Sequence, residues 1–240
     1  MNLHLVIGTP MYGGMCTSEY TQSLLNLSES ANKSDVKLTT IFLGNESLIQ
    51  RGRNTIAHHF MNLPDATHLM FIDADIKFRT EDVVKMIRAD KSLIIGPVTT
   101  KGYNWDEIRQ AAINGEDNIG ETGGAFNINK LPNVDMMNEN EPFEIESGGS
   151  PFMMIRRDVF ETMRLVTPVY TNDGKSLPDG VEIHDYFRVE INKDTNRLLS
   201  EDYFFCNSYR RQGGKVWCAP WVETGHFGSH LFNSKYTRNN

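Results

Sequence analysis

The sequence predicts an α/β fold in which helices flank a mostly parallel central sheet. Short apolar strands alternate with helical patterns over the first hundred residues, and a glycine or a proline follows three of those strands. The chain has 240 residues, of which 39% are hydrophobic, so it can bury a sizeable core. We therefore expect one domain over residues 1–240, with a regular first half (1–100) and a less regular second half (101–240).

The first half is expected to hold four strands of a doubly wound sheet. The strands are expected at residues 3–7, 37–43, 68–72 and 92–95, and the helices between them at about 18–31, 46–62 and 81–89. Pro64 ends the second helix, and Thr80 is a candidate N-cap of the third. Ligands of such sheets bind beyond the carboxyl ends of the strands, where the following residues fall: Thr9, Gly44, Asp73 and Gly96.

The second half carries weaker periodicity. Residues 116–146 contain eight acidic residues and a single lysine, with several Gly, Asn and Pro, which indicates an irregular surface excursion. A buried stretch at 152–155 leads into a helix near 157–164. A later helix begins after Ser200 and ends at Gly213, and the last strand is expected at 215–218.

Composition excludes several classes of protein. Asp and Glu outnumber Lys and Arg by 31 to 24, and the resulting net charge of -7 argues against a nucleic-acid partner. No apolar run exceeds four residues, and the first nine residues lack the layout of a signal peptide, so we expect neither a transmembrane segment nor export. Three cysteines without CxxC spacing argue against a disulfide framework or a zinc site and favour a reducing cytoplasm.

Asp73 and Asp75 form the strongest candidate for a functional site. They directly follow the apolar stretch 69–72, and if the strand continues through Ala74 both carboxylates point to the same side. Two oxygen donors suit a hard divalent cation that also binds phosphate oxygens. In the alternative interpretation, one aspartate caps a turn and the other is solvated. The position at the ligand-binding edge of the sheet favours the metal site.

Other functions match this segment less well. A helix-loop-helix calcium loop needs an acidic or amide residue and then a glycine where Lys77 and Phe78 stand. Residues 8–14 lack the glycine spacing of a dinucleotide-binding loop. A phosphatase of the haloacid dehalogenase class stays as an alternative, with the first aspartate as nucleophile and the second as acid. Its motif continues with Thr or Val where this chain has Lys77, and it normally follows the first strand.

An ordered set of motifs resembles a nucleotide-sugar glycosyltransferase of the GT-A fold, family 2-like or one of its viral or bacterial relatives. In chain order the motifs are Thr9-Pro10, Arg51-Gly52-Arg53-Asn54, the Asp-x-Asp (DXD) segment, Ser200-Glu201-Asp202 and His226. The resemblance extends from Leu3 to about Phe232, and the acidic stretch has no counterpart in it. It implies a hexosyltransferase-like enzyme that moves a sugar from a nucleoside diphosphate sugar to a hydroxyl of a glycan or other acceptor.

For the donor, the resemblance implies a first half that binds nucleotide-sugar, with uridine diphosphate as the commonest nucleotide. Asp73 and Asp75 would bind Mn²⁺ or Mg²⁺ through the donor diphosphate, and Ala74 between them would contact the donor. His226, in the C-terminal tail, would complete the metal site, and its nitrogen favours manganese; a purely structural histidine is the alternative. Other donor contacts implied by the resemblance or by local charge are Thr9, Pro10 and Tyr12 at the nucleoside, Arg53 and Asn54 at the ribose or phosphate, and Lys101.

For the acceptor, the resemblance implies a site in the second half. Asp202 would take the proton from the acceptor hydroxyl, with Glu201 as second candidate, although both positions also suit the dipole of a helix N-terminus. Gly148 and Gly149 would line the sugar and acceptor site. Trp105 is either a platform for a sugar ring or a core residue, and Lys101 either adds positive charge at the donor or is solvated. A module that binds nucleotide-sugar without turnover is the remaining alternative.

Overall fold

The computed structural model describes residues 3–34, 36–117, 119, 124–132, 134, 138–173 and 176–229. The helices are α1 (Ser18–Asn32), α2 (Ile49–Met61), α3 (Thr80–Arg88), α4 (Trp105–Asn114), α5 (Arg157–Met163) and α6 (Glu201–Arg211). The longer strands are β1 (Leu3–Met11), β2 (Val36–Gly44), β3 (His68–Ile72), β7 (Phe143–Gly148) and β8 (Phe152–Arg156). The short strands are β4 (Ile76–Lys77), β5 (Leu93–Ile95), β6 (Ile128–Lys130), β9 (Val169–Thr171), β10 (Glu182–His184), β11 (Glu190–Asn192), β12 (Arg197–Leu199), β13 (Val216–Cys218) and β14 (Gly225–His226).

Within these residues, eight strands form a central sheet in the order β2-β1-β3-β8-β5-β13-β7-β6. Strand β1 runs parallel to β2 and β3, and β5 runs parallel to β13. Strands β8 and β7 are antiparallel to both of their neighbours. Six of the eight strands therefore point in one direction, which confirms the α/β fold with a mostly parallel sheet.

Helices cover both faces of this sheet. Along β3, Leu69 and Phe71 pack into a core cluster with residues of α2, α5 and α6. Met70 and Ile72, which alternate with them, pack into a second cluster with residues of α1 and α3. A strand buried on both faces must be apolar at every position, which explains the unbroken apolar run of β3. None of the helices in the described ranges has the length and apolarity of a membrane span.

The prediction of an irregular surface excursion over residues 116–146 is wrong in its second part. Strands β6 and β7 lie there and form one edge of the central sheet, and β7 starts at Phe143. The physical reason is alternation: Ile145 and Ser147 are buried on one side, whereas Glu144 and Glu146 point away. The acidic composition hid this period-2 pattern.

Two expected helix caps also differ. Helix α3 begins at Thr80 with Arg79 in the N-cap position, so Thr80 is the first helical residue rather than the cap. Ser200 is the N-cap of α6, but its hydroxyl donates to the Asp202 carboxylate instead of accepting from the helix backbone. The second difference matters for the candidate site, because it fixes the orientation of Asp202.

Candidate active site

The candidate site lies where β3 ends, beside the start of α6 and the short β4–β14 pair. Strand β3 ends at Ile72, and the chain then turns, with the Ile76 N–H donating to the Asp73 carbonyl at 3.1 Å. The condition that the strand continues through Ala74 is therefore not met. As a consequence, the carboxylates of Asp73 and Asp75 contact different partners and do not form a parallel pair.

Asp73 is bound by a buried arginine from α2. Nη2 of Arg53 donates to both Asp73 oxygens, at 3.0 and 3.3 Å, and Nε donates to Oε1 of Glu201 at 3.3 Å. Arg53 is 2% exposed, and its Cζ atom lies 5.1 Å from the centre of the Phe71 ring. Burial acts to lower the pKa of Arg53, but the nearby charges of Asp73, Glu201 and Asp202 raise it, so the side chain stays charged. Arg53 thus joins the end of β3 to the start of α6.

The two acidic residues at the start of α6 lie in different environments. Glu201 is buried, and this burial, followed by the charge of Asp202, raises its pKa above the usual value. Asp202 is partly exposed, and its carboxylate accepts from the Ser200 hydroxyl, from the Tyr203 N–H at 2.8 Å and from the Ser150 N–H at 3.4 Å. Asp202 is therefore the more accessible carboxylate and is held in a defined orientation.

Asp75 faces a lysine and a histidine. Nζ of Lys101 hydrogen-bonds to Oδ2 of Asp75, and Nε2 of His226 lies 3.6 Å from the same oxygen. The other ring nitrogen of His226, Nδ1, lies 2.7 Å from the Thr99 carbonyl oxygen, which can only accept a hydrogen bond. The backbone is held as well, because β14 pairs with β4 and the Phe227 N–H donates to the Asp75 carbonyl at 3.0 Å.

Asp75 and His226 are the groups of this arrangement that could hold a divalent cation, and the Lys101 ammonium group hydrogen-bonds to the same Asp75 oxygen. Because Nδ1 carries a proton, a neutral His226 ring directs the lone pair of Nε2 towards Asp75, and the carbonyl behind it orients the ring as in known metal sites. In the described part of the chain, no group of three or more His, Cys, Asp and Glu side chains is arranged to hold a metal. Asp73 is ion-paired with Arg53, so within these ranges Asp75 and His226 are the close donors without an arginine partner.

Of the residues expected at the nucleoside, the structure leaves Tyr12 and Pro10 accessible. Tyr12 is 75% exposed, and Pro10 is partly exposed. The Thr9 hydroxyl is buried and lies 2.6 Å from the Tyr20 hydroxyl. Asn54 is also buried, and it exchanges two hydrogen bonds with the backbone of Phe187. The side chains of Thr9 and Asn54 therefore hold the protein together below the surface.

Of the residues expected at the acceptor, Trp105 is 61% exposed, so the alternative that it belongs to the core is wrong. It starts α4, and its ring lies 5.4 Å from the ring of Tyr103, a neighbour that the sequence reasoning did not single out. Close packing explains why glycine stands at positions 148 and 149. A Cβ at Gly149 would lie 1.9 Å from the Asn127 side chain, and one at Gly148 would lie 2.9 Å from Ile128.

No family model and no curated protein matches the chain. Among solved structures, it is similar to A197 from STIV, with 13% identity, a TM-score of 0.50 and 98% of both chains covered. It is also similar to GalNAc-T7, crystallised with UDP, GalNAc and Mn²⁺ (11% identity, TM-score 0.43), and to TarS of S. aureus (11%, TM-score 0.41). These alignments cover 94% and 90% of this chain, but 44% and 35% of the others. The similarity to A197 shows the fold alone.

Proposed function

We propose that this protein is a metal-dependent glycosyltransferase. It transfers a sugar from a nucleoside diphosphate sugar, with uridine diphosphate as the nucleotide, to a hydroxyl group of a carbohydrate acceptor. The observation that carries the proposal is the pairing of Asp75 with His226 beside the carboxyl end of β3, 3.6 Å apart and with the ring oriented by Thr99. This is the edge where open α/β sheets bind ligands.

Asp75 and His226 would hold Mn²⁺ or Mg²⁺, and the nitrogen donor favours manganese. Such an ion acts as a Lewis acid that neutralises the charge of a departing diphosphate. Asp73 lies at the same edge of the sheet and is held there by its ion pair with Arg53. The buried guanidinium cannot reach a donor at the surface, so we assign Arg53 a positioning role towards Asp73 and Glu201. Asn54 has a similar positioning role towards residues 185–187.

Asp202 is our candidate for the general base that takes the proton from the acceptor hydroxyl. It is accessible and oriented, whereas Glu201 is buried against Arg53. Tyr12 offers a face for stacking on the base, next to Thr9 and Pro10. Trp105 offers a platform for the acceptor sugar, and Gly148 and Gly149 shape the backbone near Asp202.

The phosphatase alternative is not favoured by the position of Asp73. It follows the third strand of the chain, and Lys77 stands where that motif continues with Thr or Val. The alternative of a module that binds nucleotide-sugar without turnover can be distinguished from an enzyme by the substitution Asp202→Asn. In an enzyme, Asp202→Asn lowers the transfer rate by about 10²- to 10⁴-fold and leaves donor binding intact.

The test starts with a panel of nucleotide sugars, for which metal-dependent donor hydrolysis is measured without any acceptor. With the best donor, we expect Asp75→Ala to lose the Mn²⁺-dependent affinity for the nucleotide in calorimetric titrations. Asp90→Asn is the matched control, because Asp90 is exposed and its left-handed backbone conformation suits asparagine. Unchanged affinity in Asp75→Ala would refute the metal site, and normal transfer by Asp202→Asn would refute the base.

A further inference from the structure

Lys101 occupies the oxygen of Asp75 that a metal ion would need. Its ammonium group hydrogen-bonds to Oδ2, the same atom that faces Nε2 of His226. The aliphatic part of Lys101 lies against Gly228, where a Cβ would come within 2.8 Å of its Cδ atom. The glycine at position 228 therefore gives the lysine room to lie across the site. Oδ2 of Asp75 thus binds the ammonium group of Lys101 in this structure, and the same oxygen would bind the metal ion in the proposed function.

An ammonium ion and a divalent cation cannot share this oxygen at close range, because they repel each other. The Lys101 and Asp75 side chains are 43% and 32% exposed, so water screens their ion pair. Pairs of this kind change an equilibrium constant by about fivefold at most. A dication together with a diphosphate can therefore displace the lysine, whereas a metal ion alone must compete with it.

We propose that Lys101 is the resident counter-ion of Asp75 and moves to the donor diphosphate when metal and donor bind together. The inference rests on the proposed function and adds an order to it: the metal binds weakly until an anionic group draws Lys101 away. Once the ammonium group of Lys101 has moved to the diphosphate, Oδ2 of Asp75 is open to the metal ion. Binding of metal and binding of nucleotide therefore strengthen each other, and this coupling is reciprocal.

The experiment measures free Mn²⁺ by electron paramagnetic resonance during titration of the protein, first with Mn²⁺ alone and then with uridine diphosphate present. Wild type is compared with Lys101→Met, Lys77→Met and Asp75→Ala. Lys77→Met is the matched control, because it removes one positive charge two residues after Asp75 without touching the ion pair. We expect Mn²⁺ alone to bind Lys101→Met about fivefold more tightly than Lys77→Met. The gain in Mn²⁺ affinity that the nucleotide causes should shrink by a similar factor.

Equal affinity of Mn²⁺ alone for Lys101→Met and Lys77→Met, with binding lost in Asp75→Ala, overturns the inference and leaves the proposed metal site standing. Binding that persists unchanged in Asp75→Ala overturns the metal site itself. Tighter binding confined to Lys101→Met supports the inference. Thermal unfolding of the same samples shows that each variant is folded, so a loss of affinity reports on the site.

Discussion

Arg53 is the residue on which both sides of the candidate site depend. It pairs with Asp73 and Glu201 from a buried position, and without it both carboxylates would lose this counter-charge. Removing one partner of a buried ion pair costs about 3 to 5 kcal/mol. We expect Arg53→Met to lower the free energy of unfolding by about 3 kcal/mol in urea denaturation.

Arg51 provides the control for that measurement. It lies two residues earlier, and its side chain, 30% exposed, pairs with Glu46 and with the exposed Asp173. Because water reaches Arg51, we expect Arg51→Met to lower the free energy of unfolding by less than Arg53→Met does. Similar losses in the two variants would contradict the structural role of Arg53.

The raised pKa of Glu201 predicts how the stability of the protein depends on pH. Its pKa is raised in the folded protein, chiefly by burial, above the usual 4.5. The folded state therefore holds the proton to higher pH than the unfolded state, and the folded protein loses stability as pH rises from 4.5 through the folded-state pKa. Glu201→Gln lacks this titration, so wild type should become less stable relative to the variant over that window. If the free energies of unfolding of wild type and Glu201→Gln change in parallel between pH 4 and 8 in urea denaturation, the raised pKa of Glu201 is contradicted.

The candidate residues could be proposed from the sequence, but their pairings could not. The Asp-x-Asp segment stands out because it follows a recognisable strand, and Glu201-Asp202 because a helix begins there, whereas His226 is implied only by the resemblance to a glycosyltransferase. The residue spacing does not predict that Arg53 binds Asp73 or that Lys101 binds Asp75. Arginine and lysine side chains are long and can reach carboxylates that only the folded structure brings near them. The Thr99 carbonyl that orients His226 is a backbone atom, which no residue pattern identifies.

At the scale of elements, predictability follows the strength of the local pattern. The expected bounds of β3 are confirmed at both ends, because an unbroken apolar run is followed by Asp73. Helix α4 was missed although its signals are present: Asn104 caps it by accepting from the Asp106 N–H, and Gly115 ends it with φ of 73°. The two-residue strands β4 and β14 carry no period at all, and only their pairing with each other defines them.

Strand β7 gives the prediction at this scale. Ile145 is fully buried and pairs opposite Val216 of β13, so it belongs to the core rather than to a surface excursion. We expect Ile145→Ala to lower the free energy of unfolding by about 2 to 5 kcal/mol in urea denaturation. Ile113→Ala is the control, because Ile113 is 70% exposed, and it should change stability by less than about 0.5 kcal/mol. A small effect at both positions would mean that β7 is not a core strand.

At the scale of the whole molecule, the candidate metal donors are far apart in the sequence. Asp75 follows the third strand, His226 belongs to β14, and the unfolded chain does not hold them together. A ligand that binds only the folded arrangement stabilises it by mass action, by about 2.7 kcal/mol at one hundred times its Kd. We therefore expect Mn²⁺ with uridine diphosphate to raise the Tm of wild type in calorimetry. Asp90→Asn should show the same rise, whereas Asp75→Ala and His226→Ala should show little of it. An equal rise in all four proteins would place the bound ligand elsewhere on the molecule.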